Sequence, residues 1–257
     1  MVQFASTSAD GSSEPFLLQV SRGHIPGHSP VNKFGASPEV ALNTKEDVWD
    51  GAGQYTFLTT AAITHIRAGV DSATTQGARI EVRGLDANWE LVVQTKDLDG
   101  ANSTTEVALD TPLIRVFRMK VLENAVMDQD IWAGDDDFIV GAASAIIQAG
   151  NNQTLMAIYT VPAGKTAYMT SYYGNVTDTT NKTPTSTEIG LWAADRARGY
   201  EFQLKHQMGI AEAAGGFQHY FSPYYKFSEK TDIKITALPA DEPAHIHAGF
   251  DLIIVDN

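Results

Sequence analysis

Near the end of the chain, Ala244, Ile246, Ala248, Phe250, Leu252 and Ile254 recur at every second position, with His245, His247 and Asp251 between them. A repeat of two belongs to a β-strand with one buried face, because a helix would scatter these side chains around its axis. So long a strand cannot stand alone. It needs hydrogen-bonded neighbours on its edges and a second layer over its apolar face.

The same texture runs through most of the sequence. In ARIEVRGLDANWELVVQ, Ile80 and Val82 alternate with Arg79, Glu81 and Arg83. Asp86, Ala87 and Asn88 supply a turn, and Trp89 and Leu91 flank Glu90 on the return, which reads as a hairpin. A second hairpin is expected from residues 155–161 and 165–173 around a turn at 162–164. Further strands are expected at 16–20, 187–192, 200–205, where Tyr200, Phe202 and Leu204 share a face, and 231–237, with Ile233 and Ile235 together. Within 111–122 the alternation slips: Ile114 and Val116 are in one phase, Phe117, Met119 and Val121 in the other. Either a bulge near Val116 or a strand buried on both faces accounts for this. Helical periodicity is nearly absent, with one turn at 210–214 the sole candidate, and no short repeat is present.

The expected fold is therefore all-β, of jelly-roll or β-sandwich type. Residues 21–53 stand apart. Gly23, Pro26, Gly27, Pro30, Gly35 and Pro38 argue against helix and regular strand there, yet the segment carries Ile25, Val31, Phe34, Val40 and Trp49. The expectation is an extended N-terminal arm with one short strand over 1–53, a first β module over 54–134 and a C-terminal jelly-roll-like sandwich over 135–257. The boundary between the modules falls in 124–134.

Charge narrows the function. Eighteen basic side chains face 31 acidic ones, a net charge of −13. Nucleic-acid binding needs the opposite surplus, so no nucleic-acid partner is expected. There is no cysteine, which removes disulfides, thiolate metal sites and cysteine nucleophiles. No apolar run approaches the ~20 residues of a membrane helix, and the first residues lack the pattern of a signal peptide. Neither a membrane partner nor export is expected. No nucleophile elbow, phosphate loop or His-Glu-x-x-His helix occurs. The expectation is a protein that is not an enzyme, with no catalytic residues, cofactor or metal.

Four features were candidates for something more. His245 and His247, at i and i+2 on a strand, point the same way and could hold a metal. The cupin pattern wants a Glu a few residues later and then a Gly, but Ala248-Gly249-Phe250-Asp251 follows with no Glu, so an ordinary solvent or interface face is preferred. Asp128, Asp130, Asp135, Asp136 and Asp137 offer hard oxygen ligands for calcium, without the spacing of a calcium loop. The aromatic run Phe217, Tyr220, Phe221, Tyr224, Tyr225 and Phe227 reads as core plus rim. Tyr220, Tyr224 and Tyr225 are the candidates for a subunit interface or glycan surface. In the arm, His24 and His28 lack further ligands, and Ile25, Val31, Phe34 and Trp49 are the candidate anchors on a partner.

Three groups of segments carry a resemblance: LQVSRGHIPGHSPVNKFG with EDVWDGAG; GARIEVRGLDANWELV with TPLIRVFRMKVL; and NNQTLMAIYTVPAGKTAYMTSYY with EKTDIKITA and AGFDLIIVDN. Together they resemble virion structural proteins of tailed phages, frequent among short-tailed and marine phages. The resemblance spans nearly the whole chain and implies a β-sandwich particle component, with no residue of defined chemical role. Within that family the expected function is capsid decoration. The cement protein would be made in the host cytoplasm, form a homotrimer and bind the major capsid protein on the outer capsid surface, stabilising the expanded head. The alternative is a receptor- or glycan-binding head or tail fibre component.

Overall fold

The structure, a computed structural model, describes residues 5–7, 13–122, 125–136, 143–178, 185–211 and 215–257. It is an all-β sandwich protein. Two short strands, β1 (Ala5–Thr7) and β2 (Ser13–Pro15), pair antiparallel and lead into a short helix, α1 (Phe16–Ser21). Then come β3 (His28–Val40) and β4 (Glu46–Asp47). The middle of the chain forms β5 (Ile63–Ala68), β6 (Arg79–Leu85), β7 (Leu91–Asp97), β8 (Val107–Leu113), β9 (Arg115–Val121), β10 (Ile131–Gly134) and β11 (Ala145–Ile147). The last part forms β12 (Ile158–Thr160), β13 (Lys165–Asp178), β14 (Ser186–Ala194), β15 (Gln203–Ala211), β16 (Gly216–Phe227), β17 (Asp232–Pro239) and β18 (Ala244–Asp256).

These strands build two sandwiches. In the first, a sheet ordered β16-β13-β18-β3 faces a sheet ordered β12-β17-β14-β15, with β4 also beside β17. Met169, Tyr172, Ile246 and Phe250 from one layer meet Ile189, Leu191, Ile233 and Ile235 from the other, all fully buried. The alternation in β18 works as the sequence implies: Ala244 through Ile254 at even positions are buried, while His245, His247 and Asp251 lie on the outer face. In the second sandwich, β11-β10-β5-β8 encloses a core with β7-β6-β9. Ile63, Ile66, Ile131 and Ile147 meet Ile80, Val82, Val116 and Met119 there. Truncating any of these large side chains to alanine would cost about 2–5 kcal/mol.

The expected hairpin forms at 79–97, with Leu85 opposite Leu91 and Arg79 opposite Asp97; its return strand begins at Leu91, and Trp89, at φ +67°, belongs to the turn. The Asp86 carboxylate accepts the amides of Asn88 and Glu90 and fixes the turn. Other expectations need correction. Residues 16–20 are helix α1, entered from Pro15 and left through Gly23 at φ +70°. Residues 28–40 are not an arm but a 13-residue strand in the protein's own sheet, paired with β18 from Val40–Ala244 to His28–Val255. Pro30 and Pro38 are tolerated because β3 is an edge strand, where one side of the backbone needs no donor. Gly35 permits a close crossing, since a Cβ there would sit 2.4 Å from Ala157 N and Val48 O.

Residues 111–122 are two strands, β8 and β9, broken at Ile114. The slip in phase marks a chain buried on both faces: Val116 and Met119 enter one core, Ile114 and Phe117 the other. The expected hairpin at 155–173 does not form. β12 pairs with β17 and β13 with β16 and β18, so the turn at 162–164 is a corner between the layers. The strand expected at 200–205 starts at Gln203 and runs to Ala211, so Ile210 and Ala211 are strand, while residues 212–214 of the expected helical turn lie outside the described residues. β11 pairs with β10 across the expected boundary at 134/135. Residues 138–140, whose Phe-Ile-Val run also reads as a strand in the sequence, lie outside the described residues.

Candidate functional site

The outer face of the sheet β16-β13-β18-β3 carries a groove of about 640 Å³. Its walls come from opposite ends of the sheet. Along β16, Phe217, Phe221 and Phe227 turn toward the core, which leaves Tyr220 and Tyr224 outside, 56% and 37% exposed. Opposite them, α1 lays Leu17 and Val20 along the rim. The floor between is polar. Asp251 of β18 accepts from Asn32 Nδ2 of β3 at 2.7 Å and from Ser171 Oγ of β13 at 2.8 Å. Two exposed aromatic faces beside a hydrogen-bonded carboxylate, amide and hydroxyl suit a ligand with both flat apolar and hydroxylated surface.

The groove unites some of the candidates and separates others. Val31 lines it with Tyr220 and Tyr224. Tyr225 does not. It turns inward, with its ring 5.8 Å from Phe221 and 5.0 Å from Phe227, because it shares the inward phase of the strand with them. Ile25 is half-buried in the turn before β3, where its carbonyl accepts the His28 amide. Phe34 is half-buried with the Arg118 guanidinium 5.6 Å from its ring. Trp49 is 5% exposed and meets Tyr55 edge-on at 5.2 Å within the second core. These four residues are thus spread over the protein's own body and form no continuous strap.

His245 and His247 share the outer face of β18, and among the described residues no group of three or more His, Asp or Glu is placed to hold a metal. The Asp128 carboxylate accepts the hydroxyls of Ser72 and Thr75, and its hydrogen bond to Ser72 leads in holding its pKa low. Asp130 accepts the Ala149 amide, Asp135 and Asp136 are exposed, and Asp137 lies outside the described residues. His24 lies 3.9 Å from Glu14, and His28 reaches the Pro26 carbonyl. No helix among the described residues is long and apolar enough to cross a membrane.

Two buried cations escape sequence reasoning. Arg115 of β9 is 1% exposed. Its Nε and Nη2 donate to the two Asp232 oxygens at 3.0 and 2.8 Å, and its Nη1 to the carbonyls of Leu58 and Ile114. Nη2 also donates to the Tyr200 hydroxyl at 3.2 Å, and Asp232 receives the hydroxyls of Tyr200 and Thr160. Burial pulls the pKa of Arg115 down, but the hydrogen bonds and charge of Asp232 outweigh it and hold the value above the usual one. This centre ties β9 to β17. Lys33 of β3 is 2% exposed, and its Nζ donates to the Phe117 carbonyl of β9. In sequence each is one charge among apolar neighbours, which marks neither burial nor partner.

Searched against models of known protein families, the chain matches none, and no curated protein aligns with it significantly.

Proposed function

We propose that the protein is a non-enzymatic component of a tailed-phage particle, a capsid decoration protein whose C-terminal sandwich is a jelly roll. The observation that carries this reading is the strand order. Numbered along the chain, β3, β12, β13, β14, β15, β16, β17 and β18 fall into two four-stranded layers, β3-β18-β13-β16 and β12-β17-β14-β15. That order supports a double-layer jelly roll of eight antiparallel strands, an arrangement used by viral capsid and lectin domains. The second sandwich is inserted between β4 and β12. The acidic charge suits an outer surface remote from DNA.

Attachment to the major capsid protein then falls to the surface of the folded body. Deleting residues 1–50 would strip an edge strand and remove Val40, Val48 and Trp49 from the cores, so that truncation tests folding rather than attachment. The direct test mixes the purified full chain with expanded heads and sediments them, followed by imaging at subunit resolution. Saturable binding in trimeric clusters on the outer surface is expected. Failure to co-sediment, or density only at the tail, overturns decoration.

A second reading, a receptor- or glycan-binding fibre component, is favoured by the groove at Tyr220 and Tyr224. Aromatic faces stack on sugar rings while the Asn32–Asp251–Ser171 floor meets hydroxyl groups. Glycan-array binding that is lost in Tyr220→Ala and Tyr224→Ala would select this reading over decoration.

A further inference from the structure

Among the described residues two cations are buried, and only one of them has a carboxylate. Among the described residues Lys33 has a single hydrogen-bond partner, the Phe117 carbonyl, though an ammonium carries three donors. A buried ammonium without a counter-ion is costly. The charged group acting on it is another cation, Arg118; burial and then that repulsion lower its pKa well below the ordinary value.

Beside Lys33 lies a pocket of about 180 Å³ at the seam of the two sandwiches. Arg83 and Arg118 line it with Lys33, and Leu91, Phe117 and Tyr159 supply apolar wall. Glu81, the acid whose charge acts on Arg118, is engaged by Arg83 Nε at 2.7 Å. Arg118 spends one nitrogen on the Asn32 carbonyl at 2.9 Å. Three cations therefore converge against one committed carboxylate, in a chain whose net charge is −13. At about 30 Å³ per water, the pocket has room for an acid of roughly four or five carbons.

We propose that this pocket binds a short-chain carboxylate, its oxygens taken by Lys33 and Arg118 and its hydrocarbon lying on Leu91, Phe117 and Tyr159. The carboxylate supplies the counter-ion that Lys33 lacks. A guanidinium offers it paired donors, and the apolar wall favours an acid with a hydrocarbon tail over a bare inorganic anion.

The test uses the full chain with lysine labelled at Cε, titrated with butyrate and followed by NMR. With a Kd of about 1 mM, a saturable shift at the Lys33 resonance is expected, with a rise in its pKa and in Tm. Lys33→Met should abolish the Tm gain, and Arg118→Gln, at a half-exposed position, should weaken binding at least about tenfold, the equivalent of one lost charge-assisted bond. No saturable shift, an equal Tm gain in Lys33→Met, or equal binding of inorganic phosphate would each overturn the proposal.

Discussion

Arg115, which belongs to β9, and Lys33, which reaches β9 from β3, are both buried, and they resolve the same problem in opposite ways. All five N–H donors of Arg115 are met, two of them by a carboxylate. Among the described residues Lys33 has one carbonyl and no carboxylate. The first arrangement is closed: each N–H that Arg115 takes out of water meets an acceptor. The second is open, and it opens onto a pocket. Burial alone therefore does not mark a site. An unbalanced buried charge beside accessible volume does.

The comparison can be broken at its strong end first. Arg115→Met leaves the Asp232 carboxylate buried without its cation, and should cost roughly 3–5 kcal/mol in urea unfolding. Adding Asp232→Leu should recover much of that loss, so the cycle is strongly non-additive. At the open end the sign reverses. Lys33→Met should stabilise the protein by roughly 1–3 kcal/mol at neutral pH, since a lone buried charge is exchanged for an apolar chain.

The pH dependence of that second difference sharpens the contrast. The pKa of Lys33 is lowered in the folded state, so between that value and the unfolded value of about 10.4 the unfolded chain binds more protons. Wild-type stability should rise across this window relative to Lys33→Met, and the gap between them should close as pH approaches 10. Denaturant midpoints of both proteins at neutral and alkaline pH measure it.

Asp50 gives an effect in the carboxylate range. Burial raises its pKa to about 7, opposed by the Leu155 amide and assisted by Asp130. Its folded value lies above the unfolded value of about 3.9. The stability it contributes is full below pH ~4 and is lost as pH rises through 7. Relative to Asp50→Asn, the wild type should lose up to about 4 kcal/mol between these limits, at about 1.4 kcal/mol per unit between the two values. Smallest in stability are Tyr220→Ala and Tyr224→Ala, expected within about 0.5 kcal/mol because both rings are on the surface. Their effect belongs to adsorption or capsid binding, where a loss without unfolding would assign the groove a function.

What was legible in the sequence followed from local pattern. The two faces of β18 and the hairpin at 79–97 could be read because alternation and turn chemistry decide them within a few residues. The corner at 162–164 could not: Pro162 and Gly164 signal a reversal equally well when the next strand pairs with its predecessor and when it crosses to the other layer. β3 was hidden by Pro30 and Pro38, which forbid a central strand but not an edge. For the groove, Tyr220 and Tyr224 were visible as aromatics, while their separation from Tyr225 required the phase of β16. Asn32, Ser171 and Asp251 meet only because three strands distant in sequence lie side by side. Arg115 finds Asp232 across 117 positions, a distance no motif spans.

The place of β18 has a consequence for biogenesis. It sits between β13 and β3, and β3 has no other partner within its sheet. During translation β3 emerges early and must wait for more than 200 residues before its neighbour exists, a span over which the inserted sandwich can already have matured. Completion of the outer body is thus a single late event, and a polypeptide released before β18 leaves the ribosome would present both flanking strands as open edges for quality control to seize.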